Sequence, residues 1–131
     1  MDRAFLLAAS LFGLLGVALG AFGAHALRAK VSPERLATFE TGVRYMLYHA
    51  FALFAVVAVR TWGPDSSASA VAGIAFVVGV LLFSGSLFLL VLTDSPRWGA
   101  VTPLGGVILL AGWAALAYAV LVTSFVFDAV R

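Results

Sequence analysis

The sequence contains no cysteine and only two histidines. Without thiols there is no disulfide, zinc ribbon, iron–sulfur cluster or thiol catalysis, and the redox state of the compartment stays undetermined. Charge is scarce too: 11% of the 131 residues are Asp, Glu, Lys or Arg, against about 25% in a soluble domain. A chain that is 63% hydrophobic, with mean hydropathy +1.11, cannot cover its own core with a charged shell. The net charge is only +2, and no basic run interleaves with aromatics, which excludes nucleic acid as a partner. What the chain has in quantity is long uncharged runs, and they point to a lipid bilayer. The length suits one domain spanning 1–131.

Ala4 to Leu27, Ser66 to Thr93 and Trp98 to Phe127 carry no formal charge. Each exceeds the roughly 20 residues a helix needs to cross a ~30 Å hydrocarbon core. The fourth run is shorter: fifteen residues separate Arg44 from Arg60, which reach only about 22 Å as a helix. A span there must bring Arg44 and Glu40 to the membrane boundary. Strands with open edges would leave backbone groups unpaired in lipid, so helix is required. The pattern predicts an all-α membrane protein, a compact antiparallel bundle of transmembrane helices at about 4–26, 36–60, 68–92 and 102–126.

Short polar connections support this reading. Ser32-Pro33-Glu34 offers an N-cap, a proline at the first helical position and an acid in the first turn. Leu36, Phe39, Val43 and Leu47 then continue one apolar stripe. Gly63-Pro64-Asp65 reads as a turn, Asp94-Ser95-Pro96 ends the third helix, and Thr102 can cap the fourth ahead of Pro103. Trp62 and Trp98 lie beside Arg60 and Arg97, where interfacial anchors belong, whereas Trp113 falls mid-span and reads as packing. Ala24-His25-Ala26 mimics a signal-peptidase site, but the run before it is long and its amino-terminal charge weak, so it reads as a mature helix. Gly13, Gly16, Gly20 and Gly23 form a smooth stripe on the first helix. Ala75-x-x-x-Gly79 and Gly105, Gly112 and Ala115 offer similar surfaces on the third and fourth. Such stripes let helices approach closely, either within the chain or against a protein partner or second copy.

The polar inventory gathers in one half of the bilayer. Counting back from Arg60 places Glu40 about 30 Å away at the opposite interface, and Arg44 one turn inside, shallow enough to snorkel. The two are i,i+4 neighbours with the acid first, an order that favours an ion pair. His49 lies about 13 Å deep, where an ionisable group is a functional hypothesis by default. Ser84 or Ser86 falls at a similar depth on the third helix and is a candidate hydrogen-bond partner for it. His25, Tyr45 and Thr102 belong to the same half. Glu40, Arg44 and Tyr48 share one edge of the second helix, Tyr45 and His49 another. The candidate binding residues are therefore His25, Glu40, Arg44, Tyr45, His49, Ser84, Ser86 and Thr102.

Four stretches, FETGVRYMLYHA (39–50), GAFGAHAL (20–27), LLFSGSLFLL (81–90) and TPLGG (102–106), resemble the signature segments of the YgdD/YwdK-like family. These are small bacterial inner-membrane proteins of unknown function, with a eukaryotic branch of small transmembrane proteins. The resemblance covers most of the chain in order. It implies a four-helix protein of the inner membrane and supplies no activity, substrate or catalytic residue.

Three functional classes compete. Small size, short loops and close-packing faces favour a structural or accessory subunit of a larger membrane complex. The alternative is a small oligomeric transporter, channel or lipid-binding protein, with Arg44 as an anion contact and His49 as a proton carrier. Against transport, the first, third and fourth helices have no mid-span charge and no mid-span proline break. An enzyme would need Ser84 or Ser86 with His49 and Glu40. Glu40 and His49 face opposite sides of one helix about 13 Å apart along its axis, so the triad fails and no catalysis is expected. His25 and His49 differ in depth, which strains two-histidine haem ligation, and metal binding by the same residues is weaker still. No cofactor is expected. Arg28, Lys30, Arg35 and Arg97 on the first and third loops slightly outnumber Arg3, Arg60 and Arg131, which leans both termini outside the cytoplasm.

Overall fold

A computed structural model describes residues 1–62 and 67–122. The Gly63-Pro64-Asp65 turn and residues 123–126 of the expected fourth helix lie outside that range. The described chain folds into α1 (Asp2–Phe22), α2 (Pro33–Trp62), α3 (Ser67–Thr93) and α4 (Thr102–Val122). All four are long and apolar enough to cross a membrane, as the uncharged runs require. They pack in chain order, α1 on α2, α2 on α3 and α3 on α4, and α2 meets α4 only marginally. α2 and α3 are accordingly the more enclosed pair.

Local chemistry sets the ends. The backbone N–H of Arg35 donates to Ser32 Oγ at 3.4 Å and that of Leu36 to the Ser32 carbonyl at 2.9 Å, so Ser32 caps α2. Asp94 ends α3 at φ 55°, the left-handed conformation that Asp tolerates better than most residues. Its carboxylate pairs with Arg35 and ties the third connection to the start of α2. At the opposite end Arg60 reaches both Asp2 and Ser69, joining α1, α2 and α3. Thr102 does not cap α4. A 3₁₀ turn at Pro96–Ala100 runs into the helix, and the Val101 carbonyl accepts from the N–H groups of Leu104 and Gly105. That frees the Thr102 hydroxyl for a partner on α3.

α1 also departs from a regular helix. It passes at Gly23–Leu27 into a π-helical turn, closed by the Arg28 N–H on the Gly23 carbonyl at 3.1 Å. Periodicity alone predicts an unbroken helix there.

In lipid there is little hydrophobic drive between helices, so association rests on close van der Waals packing. The tightest seam is α3 on α4. A Cβ built on Gly105 would lie 2.4 Å from the Phe83 backbone nitrogen, and one on Gly79 would lie 2.5 Å from Leu109 Cδ2. The stripe on α1 faces α2: Gly16 lies opposite Leu47, Gly20 opposite Val43 and Gly23 opposite Phe39. Packing within the chain, one of the two roles such a stripe can serve, thus engages Gly16, Gly20 and Gly23, and a small hollow remains beside Gly20 and Gly23. Of the four stripe glycines only Gly13 has open space around a built Cβ.

Candidate functional site

A buried imidazole on α2 is anchored by its own helix and by α4. His49 is 4% exposed, and its Nδ1 lies 2.7 Å from the carbonyl of Tyr45, one turn earlier on α2. Its Nε2 lies 3.2 Å from Nε1 of Trp113. A carbonyl can only accept and an indole N–H can only donate. The imidazole is therefore the neutral Nδ1–H tautomer, with both nitrogens engaged.

Aromatic rings complete the surroundings. His49 packs against Phe76 with centroids 5.3 Å apart, and Phe76 meets Trp113 edge-on at 5.1 Å. Tyr45 stacks on Phe83 at 4.4 Å. Because α2 and α4 barely touch, a shallow cleft of about 340 Å³ remains between them, lined by Tyr45, His49, Phe83, Gly106, Leu109, Leu110 and Trp113. Its lining is predominantly apolar and aromatic, and His49 presents no free nitrogen to it.

The other sequence candidates separate into distinct places. Neither serine reaches His49. Ser86 Oγ bonds the Thr102 hydroxyl at 2.8 Å and donates to the Phe83 carbonyl at 2.9 Å, which latches the start of α4 onto α3. Ser84 is fully buried, and its hydroxyl has no hydrogen-bond partner among the described residues. Glu40 and Arg44 form a loose i,i+4 ion pair at 4.0 Å, both about half exposed, and Arg44 also donates to Thr41 Oγ1 at 3.1 Å. His25 is exposed on the π turn. Among the described residues no three His, Asp or Glu side chains converge on a possible metal site.

The partner of His49 is the residue that sequence reading passed over. Trp113 carries an N–H that needs an acceptor at mid-depth, which is a usable signal. Its pairing depends on how α4 is rotated against α2, and uniform hydrophobicity does not encode that.

The orphan hydroxyl gives a direct expectation. Ser84→Ala removes an unsatisfied buried polar group and installs a better helix former. It should raise stability by about 0.5–1 kcal/mol, measured by reversible unfolding in mixed micelles. A loss of 1 kcal/mol or more would mean that the hydroxyl has a partner in the membrane.

Comparison with known proteins places these features in a family. The model of a protein family of unknown function, DUF423, matches residues 19–106, more than half of the chain. The membrane protein YwdK of Bacillus subtilis is 40% identical over 111 residues, covering 85% of this chain and 90% of YwdK. The inner membrane protein YgdD of Escherichia coli K12 is 38% identical over 118 residues, covering 86% of each. A Staphylococcus epidermidis membrane protein, SERP0230, is 35% identical over 119 residues, covering 91% of this chain and 96% of its own. No solved structure gives a significant match.

Proposed function

The chain belongs to the DUF423 family of membrane proteins, and from that premise we propose that it is a structural or accessory subunit of a larger inner-membrane assembly, with no chemistry of its own. The observation that carries this reading is the state of His49. A proton carrier needs a nitrogen that can exchange with water, whereas both of its nitrogens are engaged by Tyr45 and Trp113. A transport path would also need a run of polar groups along the span, and the rings around His49 are Tyr45, Phe76 and Trp113, of which Tyr45 lies one turn toward the membrane boundary. The outward face of α4, with Val107 and Leu110 well exposed, is available to a neighbouring protein.

Native mass spectrometry after gentle extraction from the source membrane tests this. The expected result is a stoichiometric foreign subunit, lost in Val107→Trp/Leu110→Trp, which keeps α4 apolar while reshaping its face. Recovery as a monomer or homo-oligomer alone, under conditions that keep known membrane complexes intact, would overturn the reading.

A further inference from the structure

We propose that the cleft between α1 and α2, at the end where the first connection joins them, binds one glycerophospholipid. The lipid's phosphate sits on Arg28 and Arg44, a headgroup donor meets Glu40, and one acyl chain lies over Gly20 and Gly23. This inference is independent of the subunit role.

Two adjoining hollows form the site. The outer, about 520 Å³, is lined by Ala24, Arg28, Val31, Pro33, Leu36, Ala37 and Glu40. The inner, about 180 Å³, lies among Leu19, Gly20, Gly23, Phe39, Val43 and Arg44, and Glu40 borders both. The antiparallel register, with Gly23 opposite Phe39 and Gly20 opposite Val43, sets the order of the charges. Arg28 stands outermost, then Glu40, with Arg44 about 6 Å further into the membrane. Polar groups thus line the mouth, and apolar and small residues line the depth. An amphiphile oriented like the surrounding lipid matches that gradient.

The π turn aims Arg28. In an uninterrupted α-helix, residue 28 would point about 140° away from Gly23, whose face packs on α2. The Arg28 N–H on the Gly23 carbonyl, five residues back, stacks it above Gly23 instead. Among the described residues the Arg28 side chain has no ion pair or hydrogen bond of its own. Within the same described set, Arg44 is held by the loose contact to Glu40 and by Thr41. Two guanidiniums with spare donors suit a phosphate. The carboxylate between them accepts from an ammonium or hydroxyl beyond that phosphate, and has nothing to accept from a trimethylammonium. The ligand class is therefore a phospholipid such as phosphatidylethanolamine or phosphatidylglycerol rather than phosphatidylcholine.

The full-length protein, stripped in a neutral detergent, is titrated with each of the three lipids and followed by native mass spectrometry. Phosphatidylethanolamine and phosphatidylglycerol should each leave one retained adduct, several-fold more abundant than phosphatidylcholine. Arg28→Gln should lower their retention several-fold, and Glu40→Leu, which removes the acceptor altogether, should erase the discrimination against phosphatidylcholine. Gly20→Leu should fill the cleft and abolish retention. Gly20→Ala, whose Cβ makes only an ordinary 3.5 Å contact with Val43, should fold and bind. Equal retention of all three lipids by the unmodified protein, indifference to Arg28→Gln, or displacement by inorganic phosphate alone would each overturn the proposal.

Discussion

Gly105→Ala is expected to be the most damaging single-methyl substitution among the described glycines of this protein. The added Cβ would stand 2.4 Å from the backbone nitrogen of Phe83 and 2.8 Å from its Cα. Those atoms belong to the helix itself, so no side-chain rotation relieves the clash and α4 must move off α3. Alanine favours a helix over glycine by about 1 kcal/mol, but overpacking costs about 1–3 kcal/mol, occasionally more. Here the cost wins, because in lipid the closeness of the two helices is itself the stabilising term. Parting them also strains the Ser86–Thr102 hydrogen bond one turn away. A net loss of about 2 kcal/mol is expected in reversible unfolding, with Gly105→Leu failing to reach the native state. Gly13→Ala and Gly85→Ala are the matched controls, since a Cβ at either position meets nothing within 4 Å. Both should be neutral or stabilising by up to about 1 kcal/mol. Equal losses at Gly105 and Gly13 would show that the α3–α4 seam is not close-packed in the membrane.

Trp113→Phe should cost about 1–2 kcal/mol. The phenyl ring keeps the edge contact with Phe76 but supplies no donor, which leaves His49 Nε2 unpaired at 4% exposure. Measured polar pairs within membranes average about 0.6 kcal/mol and reach about 1.7. The coupling between His49→Phe and Trp113→Phe in a double-mutant cycle should therefore fall near 1 kcal/mol. Nitrogen NMR supplies a readout that mere packing would not move. His49 should appear as the Nδ1–H tautomer in the unmodified protein, and its Nε2 resonance should shift when Trp113 loses its indole. Additive mutants, together with an Nε2–H tautomer, would refute the pairing and reopen a proton-carrying role.

The contrast between these two sites explains what could be read from the sequence. Scarce charge and uncharged runs long enough to cross lipid determined the four membrane helices. Backbone groups in hydrocarbon have few other ways to pair, so composition constrains secondary structure strongly there. Ser32, Pro33 and Asp94 marked helix ends through local backbone chemistry, and i,i+4 spacing on a single helix was enough to join Glu40 to Arg44.

Only the tertiary structure decided which faces meet. α3 and α4 are apolar nearly all round, so no periodicity told which side of each would turn inward. For that reason the partner of His49 came from Trp113 on α4 rather than from Ser84 or Ser86 on α3, and Thr102 turned to Ser86 instead of capping its own helix. The same holds for the glycine stripe on α1, three of whose members face Leu47, Val43 and Phe39 of α2, and for the π turn that brings Arg28 over the cleft. The turn is a departure of one residue from helical period, and nothing in the composition of Gly23–Leu27 distinguishes it from an ordinary helical turn. In a bilayer hydrophobicity decides that a segment is buried in lipid. Steric fit between small and large side chains decides what it is buried against.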